Sequence, residues 1–472
     1  MSDKVFKDID VLVIGGGIAG AMAAIKAKDA GAKRVVQVDK SFVGKSGASC
    51  FDAGVSHVYF PQQDDLDDRV RRLVRSLGSL AQQDLVRVHM EQSYENLLEH
   101  ESLGVTYIKD EKGKIERQAG RGSYPVVKFH GPDLMDSLRK AVLKKRVDVV
   151  NRAMITDLIL DDGKCAGAVG FDARTGEFLV FEARSTVLAT GSTFYKGRSP
   201  GHRDLSGDGF AMAYRAGAAL SGAEATDAPT NVMPALFDIG PGMNMYMGLG
   251  ARLVNRKGER FIEKYAPTLK ERSGLMTINA AFCLEVKQGN APLKIDMTHF
   301  GDMEMAKLKG ALPLAMTMYE RAGLVMNNRF VTPIDWMVIA PFARPGVVID
   351  NNYQSTVPGL FACGETASPQ AVVMGIAAAS VSGANAGRSA VTYARSSETK
   401  APTQEIDKLR ERALSPLQRK GGVEPDQVIL AVQEVVLPYD VILLRHKKRL
   451  EKALEAITEI RETQLPLLCA YT

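Results

Sequence analysis

Two rhythms of apolar and polar positions organise the chain. Residues 11–14, "VLVI", form a short β-branched run, as a buried strand needs. The alanine-rich stretch behind it keeps a helical spacing, and a second apolar run at 35–38 ends in Asp39. Strand, helix and strand are therefore predicted in that order. Residues 64–103 set charged and apolar side chains at helical intervals and predict a pair of helices. "VTYIKDEKGKI" predicts a hairpin about Lys112 and Gly113. Four strand-like runs lie between 153 and 191, broken by Asp-Asp-Gly and Arg-Thr-Gly turns. They predict an antiparallel meander that returns to a buried strand at 186–189.

The rhythm changes near residue 222. From there to 340 the chain is richer in methionine and proline and lacks strong alternation, which predicts an inserted domain. "VPGLFACGETA" restores the strand-and-glycine pattern, and "GIAAASVSGANAGRSAVTYA" predicts a helix of small residues that packs closely on other backbone. "RSSETKAPTQE" reads as a polar linker. The remainder is helical, with an apolar stripe of Leu443, Leu450, Leu454, Ile457 and Ile460 that fits ordinary helix packing. The expected units are 1–221 and 341–400 for a split first domain, 222–340 for the insertion, and 401–472 for the C-terminal helices.

The first turn carries the chemistry. Gly15, Gly17 and Gly20 in "GGGIAG" fit G-x-G-x-x-G: a tight turn, a bare approach for a pyrophosphate, and close helix–strand packing. The helix start adds free N–H groups and partial positive charge. Asp39 stands where a ribose hydroxyl is held. The fingerprint serves FAD and NAD alike. At the meander's end Ala189, Thr190 and Gly191 are small enough to let backbone lie close to a cofactor.

Composition narrows the classes. The 472 residues allow two or three domains. The net charge of +5 is spread over 60 basic and 55 acidic residues, with no long basic run interleaved with aromatics, so nucleic-acid binding is not expected. "HKKRLEK" at His446 reads as a solvated helix face. The cysteines Cys50, Cys165, Cys283, Cys363 and Cys469 form no CxxC pair. Their scatter argues for a reducing compartment and against a metal or iron–sulfur site in this chain. No apolar stretch is long enough to span a bilayer and the N-terminus is too polar for a signal peptide, so a cytoplasmic protein is expected.

Five stretches carry a family likeness: "VLVIGGGIAGAMAA", "VDKSFVGKSGAS", "LSGDGFAMAYRAGAAL", "VNRKGERFIEKYAP" and "VPGLFACGETA". In these the chain resembles the flavoprotein subunits of succinate dehydrogenase and fumarate reductase. It looks most like the adenylylsulfate reductase α-subunit branch. The resemblance implies an α/β fold: a Rossmann-like FAD-binding domain with an antiparallel β-meander, an inserted α+β cap domain and a C-terminal helical region. It implies FAD as cofactor, with Gly15, Gly17 and Gly20 on the pyrophosphate and Asp39 on the adenosine ribose. Lys40, Ser46, Gly47 and Ala48 would line the loop beside the flavin, and Ala189, Thr190 and Gly191 the adenine side. Asp208 and, in "CGET", Gly364 and Glu365 match positions that hold FAD. Gly375 and Ile376 fall at the flavin pyrimidine edge, where a helix N-terminus favours negative charge.

Departures from the family shape the expected chemistry. Covalent members carry a histidine where this loop has Gly47, so non-covalent FAD is expected. The arginine that delivers a proton in fumarate-handling members falls on Leu275, with Arg272 three residues earlier. Substrate histidines fall on Ala228 and near Pro341, and a clamp arginine near Gln370. An anion site needs charge-assisted donors, so succinate, fumarate and L-aspartate are not expected as substrates in their usual pose. The expected function is an FAD-dependent oxidoreductase exchanging hydride at flavin N5 with a small organic substrate. The alternatives are an electron-transfer subunit beside a separate iron–sulfur protein, and an oxygen-dependent oxidase. Arg272, Arg344 and Tyr246 are the catalytic candidates. His202 and Arg203 are loop or substrate residues, and Met233, Met243, Met245 and Met247 fill a core or line an apolar pocket.

Overall fold

A computed structural model describes residues 3–51, 54–76, 79–119, 125–129, 131–196, 204–224, 226–227, 230–232, 243–338, 342–343, 345–372, 375–398 and 400–470. Strand β1 (Lys4–Ile14) leads into helix α1 (Ile18–Asp29) and strand β2 (Val35–Asp39). A short β3 (Val55–Ser56) precedes the helix pair α2 (Leu66–Ser76) and α3 (Gln83–Ser102). Strands β4 (Arg117–Ala119) and β5 (Pro125–Lys128) form a small antiparallel sheet with β3, in the order β3-β5-β4. The hairpin expected before them is there: Lys109 pairs with Ile115. Helix α4 (Gly131–Lys144) returns the chain to β6 (Asp148–Asn151). The meander is β7 (Ala153–Asp161), β8 (Lys164–Asp172) and β9 (Phe178–Leu188).

The main sheet runs β6-β2-β1-β9-β8-β7, and the strand Leu360–Ala362 also pairs with β9. Pairing is parallel from β6 to β9 and antiparallel through the meander. The four runs expected between 153 and 191 are three strands, because the last two join into the eleven-residue β9. Glu182 and Arg184 interrupt the apolar run without breaking the strand. They lie at alternate positions, and Arg184 reaches the Asp10 carboxylate at 3.1 Å while Glu182 meets Lys7. Charge at period two is compatible with a strand that shows one edge of a face to water.

Helix α1 and the long helix Gly375–Ser396 pack side by side through Ala19, Ala23, Gly383 and Gly387. A second apolar core belongs to the inserted segment and gathers Tyr246, Phe282, Ile295 and Trp336. Its four-stranded antiparallel sheet runs Thr230–Val232, Ile334–Val338, Leu293–Asp296, Arg252–Val254. The chain leaves and returns side by side: Leu220–Ser221 pairs with Gly346–Val347, and Thr226–Asp227 with Phe342–Ala343.

The helix Thr403–Leu414 lays Leu409 on the outer face of the meander, against Ile159, Val169 and Phe178. The expected packing of the C-terminal stripe is only partial. Ile460 is buried and Leu443 leans on the cap core, but Leu450 and Leu454 are 41% and 68% exposed. Helix Lys447–Glu459 lies on the outside with none of its residues fully buried, although Ala453, Ala456 and Ile457 are half-covered.

Two buried histidines tie α3 to its neighbours. His100 Nε2 sits 2.8 Å from Ser380 Oγ in the long helix, and His89 Nε2 sits 3.0 Å from the Tyr353 hydroxyl. Burial pushes both imidazoles down to about 4. The unfolded chain protonates them near pH 6.5, whereas the folded chain resists until about 4. The stability they contribute is thus complete above pH 6.5 and falls as pH drops toward 4. Thermal unfolding is expected to start at a lower temperature at pH 5 than at pH 7.5, and His100→Gln to narrow the gap. Equal midpoints at the two pH values would contradict neutral burial.

Candidate functional site

The carboxyl ends of β1, β9 and the strand Leu360–Ala362 converge. Ala189 N–H donates to the Ile14 carbonyl at 2.8 Å, and Cys363 N–H to the Leu188 carbonyl at 3.0 Å. In open sheets of this kind ligands settle outside such ends. Here the ends open into a cavity of about 370 Å³.

The first wall is the glycine turn. Gly15 has φ +121°, and a Cβ there would stand 2.1 Å from the Ala189 carbonyl oxygen. Its own carbonyl accepts from Gln37 Nε2 at 3.0 Å. Gly20 lies behind the turn rather than in the cavity wall, where a Cβ would be 2.1 Å from the Gly15 oxygen. Gly17 opens α1 without a side-chain cap, and Ile18 N–H donates to Ser49 Oγ at 3.2 Å. The helix start therefore presents backbone N–H groups and partial positive charge to the cavity.

The second wall is built on Asp39. One carboxylate oxygen accepts from Gly16 N–H at 2.8 Å. The other accepts from Ser41 N–H at 2.7 Å and Ser46 Oγ at 3.1 Å. The side chain thus locks the glycine turn to the 46–51 loop and keeps lone pairs for a ligand hydroxyl. Lys40 Nζ lies 2.6 Å from Asp208 and 2.6 Å from Ser206 Oγ. Asp208 opens helix α5 (Asp208–Arg215). Ser192 Oγ donates to Glu365 at 2.9 Å, and Gly191 N–H donates to Thr366 Oγ1 at 2.9 Å.

The cavity wall includes Gly15, Gly17, Asp39, Lys40, Ser46, Gly47, Ala48, Ala189, Thr190, Gly191, Asp208, Gly364, Glu365, Gly375 and Ile376. Sequence reasoning missed Ala153, Met154 and Ile155, which also line it. Their only sequence signal is a strand start directly after β6. Cys50 lies in the 46–51 loop, and its thiol donates to the Ser46 carbonyl at 3.3 Å. Burial pushes that thiol up to about 11, which keeps it protonated.

Of the catalytic candidates, Tyr246 and Arg272 are described, and neither lies in the cavity wall. Tyr246 is sealed in the cap core, its hydroxyl 3.1 Å from that of Tyr319, and burial holds its phenol far above the usual range. Arg272 ends the short turn Lys270–Arg272 and is exposed. Arg344, His202, Arg203, Met233, Ala228 and Pro341 lie outside the described residues.

The fit to a flavin dinucleotide is physical: bare glycine backbone, a helix start and a carboxylate at the second strand's end surround one cavity. Residues 10–390 match the FAD binding domain family. The chain belongs to that family. It is an FAD-dependent oxidoreductase of the succinate dehydrogenase and fumarate reductase flavoprotein superfamily.

An uncharacterized FAD-dependent oxidoreductase of Methanocaldococcus jannaschii is 29% identical to it, over 96% of this chain and 84% of that protein. A fumarate reductase (CoM/CoB) subunit of Methanothermobacter marburgensis is 27% identical, over 96% and 85%. Among solved structures, the E. coli quinol fumarate reductase FrdA superposes with a TM-score of 0.85 at 21% identity, over 97% of this chain and 83% of that one. The adenylylsulfate reductase of Archaeoglobus fulgidus superposes with a TM-score of 0.78 at 22% identity, over 99% and 85%. At these identities the structural likeness speaks for the fold. Among the described residues, no helix is long and apolar enough to cross a membrane.

Proposed function

We propose that the protein oxidises or reduces a small organic substrate beneath the cap, and that this substrate is not succinate, fumarate or L-aspartate held in the usual pose. The observation that carries the reading is Gln370, near which the resemblance puts the family's clamp arginine. Its Oε1 accepts from Ser368 Oγ at 2.5 Å and from Ser221 Oγ at 3.2 Å, so a neutral side chain is pinned close to where the resemblance puts the cation a dicarboxylate needs.

When bound, FAD supplies hydride exchange at its N5 edge. The chain's part is to hold and orient. The α1 start and Gly15–Gly17 backbone take the pyrophosphate, and Asp39 the ribose. Lys40 and Asp208 brace the same wall through their ion pair. The start of the long helix at Gly375 favours negative charge at the pyrimidine edge. Cys50, kept protonated, is no nucleophile for the ring, which supports non-covalent attachment. Of the two described catalytic candidates, Arg272 is exposed and is kept as the cation for substrate, and Tyr246 is assigned to cap packing.

A second reading, an electron-transfer subunit beside a separate iron–sulfur protein, draws support from the exposed leucines of the C-terminal region. Leu430, Leu454 and Leu467 are each more than half exposed. Anaerobic stopped-flow absorbance tests the main reading. Succinate is expected to leave the oxidised flavin band intact, and fumarate to leave the dithionite-reduced protein reduced. Turnover of either acid at rates typical of enzymes, above about 1 per second, would overturn it.

A further inference from the structure

Lys128 closes β5, directly opposite Val55 in register. Val55 follows the loop whose residues Ser46–Ser49 line the cofactor cavity. The side chain points to the cap: Nζ lies 3.0 Å from Sδ of Met245, in helix α6 (Met243–Gly248). Only 5% of the residue is exposed. Among the described residues no carboxylate comes within ion-pairing distance of it.

This is an unusual place for an ammonium. It carries three donors and no acceptor, and a thioether is a weak acceptor. A buried charge is normally paired and fully hydrogen-bonded. Two charges act on it: Glu116, which favours the ammonium, and Lys307 on the cap, a like charge that disfavours it. Burial outweighs Glu116 and, with Lys307 acting the same way, brings the group down to about 8. Met245 is long and unbranched, so it can swing aside at low cost. A buried cation with unmet donors, at the seam between the flavin-side loop and the cap, is built to receive an anionic oxygen.

We propose that Lys128 binds the anionic end of the substrate, and that the substrate is a monocarboxylate or an equivalent monoanion. This rests on the reading that the substrate lies beneath the cap. It deepens that reading, because one cation replaces a clamp that elsewhere holds two carboxylates. Lys128 is here a binding residue, and the proposal gives it no proton to transfer.

The test uses FAD-loaded protein, with crotonate and benzoate as probes and crotonamide as the uncharged control. Either acid is expected to shift the flavin absorption band, and crotonamide to leave it unchanged. The Kd of the acid is expected to rise at least tenfold between pH 7 and pH 9.5, as the ammonium loses its proton. Lys128→Met is expected to raise Kd at least tenfold at pH 7, and Lys128→Arg to keep most of the affinity. Both variants should still hold one FAD per chain, which separates a lost anion site from a lost fold. The proposal is overturned if the acids bind Lys128→Met as they bind wild type, if binding ignores pH, or if neither acid shifts the band of FAD-loaded protein. Failure to load FAD at all would instead strike the cofactor cavity on which the proposed function stands.

Discussion

Alanine at Gly15 is expected to abolish FAD retention. Two effects add at this position. The backbone sits at φ +121°, which L side chains rarely adopt, and the new Cβ would stand 2.1 Å from the Ala189 carbonyl oxygen. That oxygen belongs to the end of β9 and cannot swing away, because Ala189 N–H is bonded to the Ile14 carbonyl. The turn and the β9 end must therefore separate, which opens the cavity where the cofactor lies. Left-handed strain alone costs about 1–2 kcal/mol, and overpacking adds about 1–3 kcal/mol. Gly217→Ala is the matched control. It has φ +85° and open space around the Cβ, so it carries strain without the clash. Absorbance at the flavin band per chain is expected to vanish for Gly15→Ala and to persist for Gly217→Ala. Equal flavin content in the two would remove the turn from the site.

The second large effect is on stability. Valine at Gly387 is expected to lower the unfolding midpoint sharply, or to prevent soluble expression. Even a Cβ there would be 2.2 Å from the Ala23 carbonyl oxygen and 2.9 Å from the Ala23 Cα. The repeat four residues earlier is the same: a Cβ at Gly383 would be 2.2 Å from the Ala19 oxygen. Two backbones are in contact along this seam, and neither has a flexible side chain that can give way. The helices must move apart, with loss of packing along both. A penalty of about 3 kcal/mol or more follows, at the upper end of overpacking. Gly310→Ala, in the cap helix Asp302–Ala311, meets nothing within 4 Å. It is expected to be neutral or to stabilise by up to about 1 kcal/mol, from helix propensity. Urea denaturation of the three proteins measures the contrast. A Gly387→Val protein as stable as wild type would mean the helices are not so closely apposed.

The glycine turn, the acid at the end of β2 and the small-residue helix were legible in the sequence because each rests on a local physical demand. A bare backbone, a strand terminus and a close helix contact leave their mark in a few adjacent residues. The cavity wall formed by Ala153, Met154 and Ile155 left no such mark, since its role comes from how β7 leaves β6 toward the cavity. The continuity of β9 was hidden because Glu182 and Arg184 look like a break until their partners Lys7 and Asp10 are placed beside them. Tyr246 looked available for chemistry because a sequence does not show Tyr319 beneath its hydroxyl. Lys128 drew no notice, as burial of a single lysine depends on Met245, a residue 117 positions away in the chain.

Acid denaturation of the purified protein, followed by mass analysis of the released nucleotide, bears most directly on the cofactor cavity. Free FAD in about one-to-one amount with a colourless chain is the predicted result. Yellow colour that stays with the denatured chain would contradict non-covalent binding. A colourless protein that cannot be loaded with FAD would contradict the reading of the cavity itself.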